Sequence, residues 1–286
     1  MPCVTTSDLE TLVESVRRGA GVVSVVLRVS GEQSARYAIE AAARHYAAST
    51  MKLPVLIAAQ RLAERGELDL DERVVVHDDF DSLIPGQRFT MDPGEDSDPE
   101  TWTAVGDVVP LRTLVERMVT VSGNLATDLV LERVGPAEVA RVLEAAGCST
   151  GTVLPRGIED YPARDAGLDN LVTADDLAKV MVALADGVLA GSEASAECER
   201  ILRAQSYRAG IPAGLPAGVD VGNKTGWIDG VNHDVALVRA PGLRPMGLAV
   251  LVSAPGSPDE REAGIARITA AVWSAIENDG VGGTLR

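Results

Sequence analysis

Strand-like runs at the two ends of this chain enclose a long helical middle, and that arrangement limits the fold more than any other feature. Residues 21–29, Gly-Val-Val-Ser-Val-Val-Leu-Arg-Val, are dense in valine and read as a buried strand. A turn at Ser30-Gly31-Glu32 leads to a second strand near 35–40, so the chain starts antiparallel. Three more runs come late, near 219–228, 233–238 and 246–253, joined by turns at Asp229-Gly230 and Pro241-Gly242. Backbone donors and acceptors in such runs need partners, so the two ends have to meet in one sheet. The expected fold is α+β: an antiparallel five-stranded sheet flanked by helices, with an all-helical lobe inserted after Ser49. We expect a single domain over residues 1–286, with an α/β lobe from 1–48 and 215–286 and a helical lobe from 49–214.

Helical period is clear in several places. Ser7-Asp8-Leu9-Glu10 has a capping-box pattern ahead of Leu12, Val13 and Val16, and Ser257-Pro258-Asp259-Glu260 announces a last helix with Ile265, Ile268, Val272 and Ile276 on one face. Short helices are expected over 111–119, 124–133, 136–146 and 192–204. Between 69 and 107 the pattern breaks into pieces rich in Asp, Gly and Pro. The acidic run 92–100 lacks the ligand order of a calcium loop and reads as solvated, forming a rim or lid with Trp102 as its plug.

The chemistry starts at Ser49-Thr50-Met51-Lys52. A serine followed three positions later by a lysine at the start of an apolar helix puts hydroxyl and amine on one face, a turn apart. A serine hydroxyl needs a base to become a nucleophile, and a lysine taken out of water can be neutral enough to serve. Ser49 is the candidate nucleophile and Lys52 its base. Of the 26 Lys+Arg residues only three are lysines, Lys52, Lys179 and Lys224, so positive charge is carried almost wholly by arginine, which cannot give up its proton. Two of those three stand in motifs that need a lysine. Lys224 lies in Lys224-Thr225-Gly226-Trp227, and Ser122-Gly123-Asn124 falls between the two.

The ordered set S-x-x-K, S-x-N, K-T-G resembles the signature of the serine enzymes that include class A β-lactamases and penicillin-binding proteins, and the likeness covers nearly the whole chain. The resemblance implies a serine acyl-enzyme hydrolase or transacylase acting on an ester, amide or peptide-like substrate. It gives Ser49 the attack on a carbonyl and Lys52 a share in removing the proton. Ser122 passes a proton to the departing group with help from Lys224, whose charge also attracts a substrate carboxylate. Asn124 and Thr225 bind substrate, and the backbone N–H groups of Ser49 and Trp227 form the oxyanion hole. Gly226 lets the strand edge approach the substrate, and Trp227 narrows the acyl pocket or gives it an aromatic wall.

Two departures from that pattern stand out. Gly123 replaces the usual aspartate, which removes a loop-fixing carboxylate. In residues 155–171, the place of the class A omega loop, Glu159 is the candidate deacylation base with Asp160 beside it, but Ala163 stands where a partner asparagine is expected. Slow deacylation follows, which suits a transferase, a slow esterase or a binding protein better than a rapid class A β-lactamase. A catalytically idle scaffold that kept the fold is the alternative of another class.

Composition excludes other classes. A formal net charge of −16 and a pI near 4.6 argue against a nucleic-acid partner. No apolar stretch of membrane-spanning length and no leader pattern is seen, so the expectation is no membrane partner and a cytoplasmic address. Cys3, Cys148 and Cys198 have neither disulfide nor zinc spacing and read as free thiols; no metal and no cofactor is expected. A Ser-His-Asp mechanism would draw on His45, His77 or His233, two of them followed by Asp78 and Asp234, but no G-x-S-x-G elbow accompanies them.

Overall fold

The computed structural model of the chain describes residues 6–278. Five strands, β1 (Val22–Val29), β2 (Tyr37–Ile39), β3 (Asp220–Ile228), β4 (Val231–Arg239) and β5 (Met246–Ser253), form an antiparallel sheet in the order β2-β1-β5-β4-β3. The ends meet as expected: Val22 lies opposite Ser253 and Val29 opposite Met246. β3 and β4 are joined at Asp229-Gly230, where Gly230 takes φ 74°. β3 is an edge strand, so alternate backbone groups along it face away from β4.

Both faces of the sheet are covered, which is why its central strands carry few polar residues. On one side Val25, Leu27, Val250 and Val252 pack with α1 (Thr6–Arg17) and the C-terminal helix Pro258–Asn278 through Leu9, Val13, Ile265 and Ile268. That last helix opens with a capping box: the Glu260 N–H donates to Ser257 Oγ at 3.2 Å and the Ser257 N–H to Glu260 Oε2 at 2.8 Å. On the other side Val26, Val235 and Leu251 pack into a larger core with α2 (Lys52–Glu64), α3 (Leu111–Thr120), α4 (Asn124–Val134), α5 (Pro136–Ala145) and α6 (Ala174–Ala185). The alternation of Val25, Val26 and Leu27 between the two cores is the period-two rule of a strand. α2 is buried at every position from Lys52 to Gln60, so its start is held by packing on all sides rather than by one apolar stripe.

Two short ribbons form in and just after the 69–107 region, Arg73–Val75 with Val108–Pro110 and Asp79–Asp81 with Arg88–Thr90. The region is more ordered than its composition suggests. Among the described residues no helix is long and apolar enough to cross a membrane.

Candidate active site

Ser49 sits in a 3-10 turn, Ala48–Met51, that leads directly into α2. Ala48 takes φ 43°, one of few non-glycine residues in the left-handed region, and such strain persists only where packing enforces it. Here the enforcing neighbour is β3. A Cβ on Gly226 would lie 2.9 Å from the backbone nitrogens of both Ser49 and Thr50. A side chain at this position would therefore collide with the Ser49 turn itself. The Ser49 hydroxyl makes no hydrogen bond among the described residues and faces a cleft of about 580 Å³ that is also lined by Asn124, Glu159, Tyr161 and Trp227.

Beneath the cleft floor lie two fully buried amines with one hydroxyl between them. Lys224 Nζ donates to Ser122 Oγ at 3.0 Å and to the Thr225 carbonyl at 2.8 Å. Lys52 Nζ donates to the Ser122 carbonyl at 2.6 Å and to Asn124 Oδ1 at 2.7 Å, with Ser122 Oγ at 3.4 Å. Burial pushes the Lys52 pKa down to about 7 against the opposing pull of Asp96, Asp128, Asp98 and Glu159. Burial also pushes Lys224 well below its usual value, and the charge of Lys52 adds to that. A neutral lysine has two N–H groups and one lone pair. With both N–H groups of Lys52 spent on oxygen acceptors, its lone pair is left for a hydroxyl proton.

Ser122 holds its place at φ 61°, and acidic residues from the 92–100 run fix it there. Asp96 accepts from the Asn124 N–H and the Leu125 N–H at 2.8 Å each, closing the N-terminus of α4. Asp98 is fully buried, bonded to the Arg117 guanidinium and the Thr101 hydroxyl. Burial alone would raise its pKa, but those two partners hold it below the usual aspartate value. The run is therefore not a solvated loop, because two of its carboxylates face inward. Trp102 is not a plug either: its indole donates to Asp96 Oδ2 at 2.9 Å and its ring packs against the larger core.

Residues 155–171 are tied down at several points. Arg156 pairs with Asp169 at 2.6 Å, and the Asn170 side chain bonds both the N–H and the C=O of Arg156, while its own carbonyl accepts from Ala47 N next to the Ser49 turn. Asp160 is fully engaged, accepting from Ser82 Oγ, Leu83 N and Ala163 N, and so is not available as a base. Glu159 is different. It takes φ 59°, accepts only from Asp92 N through Oε2 at 2.8 Å, and keeps Oε1 buried without a partner on the cleft. Burial raises its pKa, helped by Asp96, Glu95 and Asp92. Thr225 Oγ1 is likewise buried and unpartnered. Trp227 is exposed on the cleft wall with its ring 4.7 Å from that of Tyr207.

The histidines lie elsewhere. His45 bridges Ser24 and Ser253, and His233 bridges the Tyr46 carbonyl and the Val252 N–H; Asp234 bonds Asn223 and Ile211 rather than a histidine. Sequence motifs led to every side chain around Ser122 but not to Asp96, Asp98, Arg117, Arg156 or Asn170. These act across long chain separations and leave no short-range pattern to read.

A model of the β-lactamase enzyme family matches residues 5–276, and the chain belongs to that family. The solved structures it resembles include a β-lactamase from Sphaerobacter thermophilus, at 24% identity and a TM-score of 0.79 over 96% of this chain and 98% of that one. A mutant of the last common ancestor of Gram-negative bacteria class A β-lactamase matches at 25% identity and 0.79 over 95% and 98%. A mutant of PBP-A in an acyl-enzyme complex with penicillin G matches at 21% and 0.79 over 97% and 100%. No curated protein matches the chain.

Proposed function

We propose that this protein is a serine acyl-enzyme hydrolase or transacylase acting on an ester, amide or peptide-like substrate. The observation that carries the reading is the Ser122 hydroxyl held between two buried amines, one of them brought to a pKa of about 7, beside a free serine hydroxyl on an open cleft. Ser49 Oγ attacks the carbonyl carbon and its proton passes to the lone pair of Lys52. The carbonyl oxygen, now an oxyanion, is held by the backbone N–H groups of Ser49 and Trp227. When the tetrahedral centre collapses, the leaving nitrogen or oxygen takes the Ser122 proton, which Lys224 or Lys52 replaces. The depressed pKa of Lys224 suits proton transfer better than a standing charge.

The acyl-enzyme is then discharged by water or by another acceptor, whose proton Glu159 Oε1 receives. Among the described residues no side-chain amide hydrogen-bonds Glu159, and the two amides on the cleft, Asn124 and Asn170, are engaged elsewhere, which supports slow hydrolysis. Intact-mass analysis after exposure to penicillin G or a fluorophosphonate tests the reading. A single adduct on Ser49, absent from Ser49→Ala, is expected; no adduct with either reagent leaves only the idle-scaffold alternative.

A further inference from the structure

Four carboxylates and two guanidinium groups line the cleft, and they do not cancel. Arg156 is committed to Asp169 at 2.6 Å. Arg164 also lines the cleft, its guanidinium 4.5 Å from the Tyr161 ring centre and 3.6 Å from Asp165, so it offsets one carboxylate at most. Glu95, Glu159 and Asp229 remain, each on the cleft, with no ion-pair partner among the described residues. Glu159 is only 7% exposed, and its unpartnered Oε1 is the kind of buried acceptor that needs a donor. Glu95 is anchored beside Asn124, whose amide donates to the Glu95 carbonyl at 2.8 Å, and Asp229 follows Trp227 and Ile228 at the end of β3. Burial drives both buried lysines toward the neutral form and acts on Glu159 in the same sense, so Glu95 and Asp229 are the carboxylates that carry the charge argument, with Glu159 Oε1 as an added acceptor.

The same rim carries exposed apolar surface: Trp227, Ile228 and Tyr161 are 37%, 47% and 43% exposed. The Tyr161 ring already carries the Arg164 guanidinium, so negative charge beside the Trp227 face is the setting that attracts a further cation, through the carboxylates directly and through the indole quadrupole. A net charge of −16 adds a negative potential that disfavours anionic groups at the mouth.

We propose that the acyl group this cleft accepts carries a positive charge next to an aromatic or bulky apolar part, so that its substrates are ammonium-bearing acyl compounds such as aminoacyl esters or amides. This rests on the acyl-enzyme reading above and goes further by naming the substrate class. The ammonium sits among Glu95, Glu159 and Asp229, the apolar part against Trp227 and Tyr161, and the reacting carbonyl over Ser49.

Three penicillins that share one phenylacetyl frame test it: penicillin G with hydrogen on the side-chain carbon, ampicillin with an amine there, and carbenicillin with a carboxylate. The pH is set near 6.5, below the usual α-amino pKa of about 7.7, so that the amine is charged. Two quantities are measured: acylation efficiency of the wild type, and equilibrium binding to Ser49→Ala. Both are expected to rank ampicillin above penicillin G above carbenicillin, each step on the order of tenfold at low salt and smaller at high salt. In Glu95→Gln/Asp229→Asn the spread should narrow to about twofold, as expected when paired charges are removed.

Equal values, a reversed rank, or a spread that survives the double substitution overturns the proposal while leaving the acyl-enzyme reading intact. Ranked binding to Ser49→Ala with no acylation of the wild type supports the charge preference and removes the enzyme reading. No binding of any of the three overturns both.

Discussion

Asp98 occupies the space that a side chain at residue 123 would need. A Cβ on Gly123 would lie 2.9 Å from the Asp98 Cβ and 2.8 Å from its carboxylate. The carboxylate missing from the Ser122 motif is thus supplied from the 92–100 run, paired with Arg117, and the glycine is what makes room for it.

Gly123→Ala should therefore destabilise the protein by about 1–3 kcal/mol, the usual cost of overpacking a filled site. Acylation should fall as well, because Ser122 shifts with its loop. Thermal unfolding and adduct formation are the measurements; an unchanged melting temperature would show that Asp98 yields freely. Arg117→Ala, which strands the buried Asp98 charge, should cost more than Gly123→Ala.

Lys52→Arg should abolish acylation while Lys224→Arg weakens it less. Arginine keeps the charge but has no lone pair to offer a hydroxyl proton, and position 52 is where the site needs one. Rates of adduct formation, set beside melting curves that show both variants folded, decide the matter. Retained activity in Lys52→Arg would remove the lysine from the role of base.

Acylation should rise with pH through about 7. The reactive form has Lys52 neutral, and below its pKa of about 7 each further unit of pH removes about nine-tenths of that form. Single-turnover acylation by penicillin G between pH 5 and 9 gives the profile. A rate that is flat across this range would contradict the assignment.

Stability should fall on acidification between about pH 6.5 and pH 3. Burial lowers the pKa of His45 to about 4 and of His233 to about 3, the latter helped by His45. Their neutral rings are fully paired: His233 donates to the Tyr46 carbonyl and accepts from Val252 N, so a second ring proton would face a donor. The unfolded chain takes up these protons near pH 6.5 and the folded chain does not, so the stabilisation is complete above that pH and is lost as the pH drops toward the folded values. The loss is on the order of 3 kcal/mol per histidine. Urea midpoints across this range check it, and His45→Gln should flatten the curve.

Glu159→Gln should lengthen the life of a penicillin adduct, because the amide cannot accept the proton of an incoming water. Timed mass spectrometry of wild type and variant makes the comparison. Identical clearance would assign deacylation to another group.

Much of this was legible in the residues. The valine-rich terminal runs, the turns at Asp229-Gly230 and Pro241-Gly242 and the spacing of Ser49 and Lys52 are local patterns, and local patterns survive reading without a structure. Asp96 and Asp98 were misread as solvated for the opposite reason. An acidic run looks the same on paper whether its carboxylates face water or, as here, cap α4 and meet Arg117. Trp102 was misplaced along with them, since its direction is set by Asp96. Glu159 could be picked out, but not its isolation: Asn170 is spent on Arg156 rather than on the candidate base.

The pairing of Val22 with Ser253 governs when the Ser49 turn acquires its full set of neighbours. Ser49 is synthesised well before Lys224, the second amine of the site, and Gly226, on the strand that presses against its turn. Long-range pairing of this kind is slow to form and leaves the nascent helices waiting for their sheet. Until those strands dock, Ser49 has neither the β3 contact nor Lys224 near it, so under the proposed mechanism its hydroxyl stays unactivated while the chain is being made.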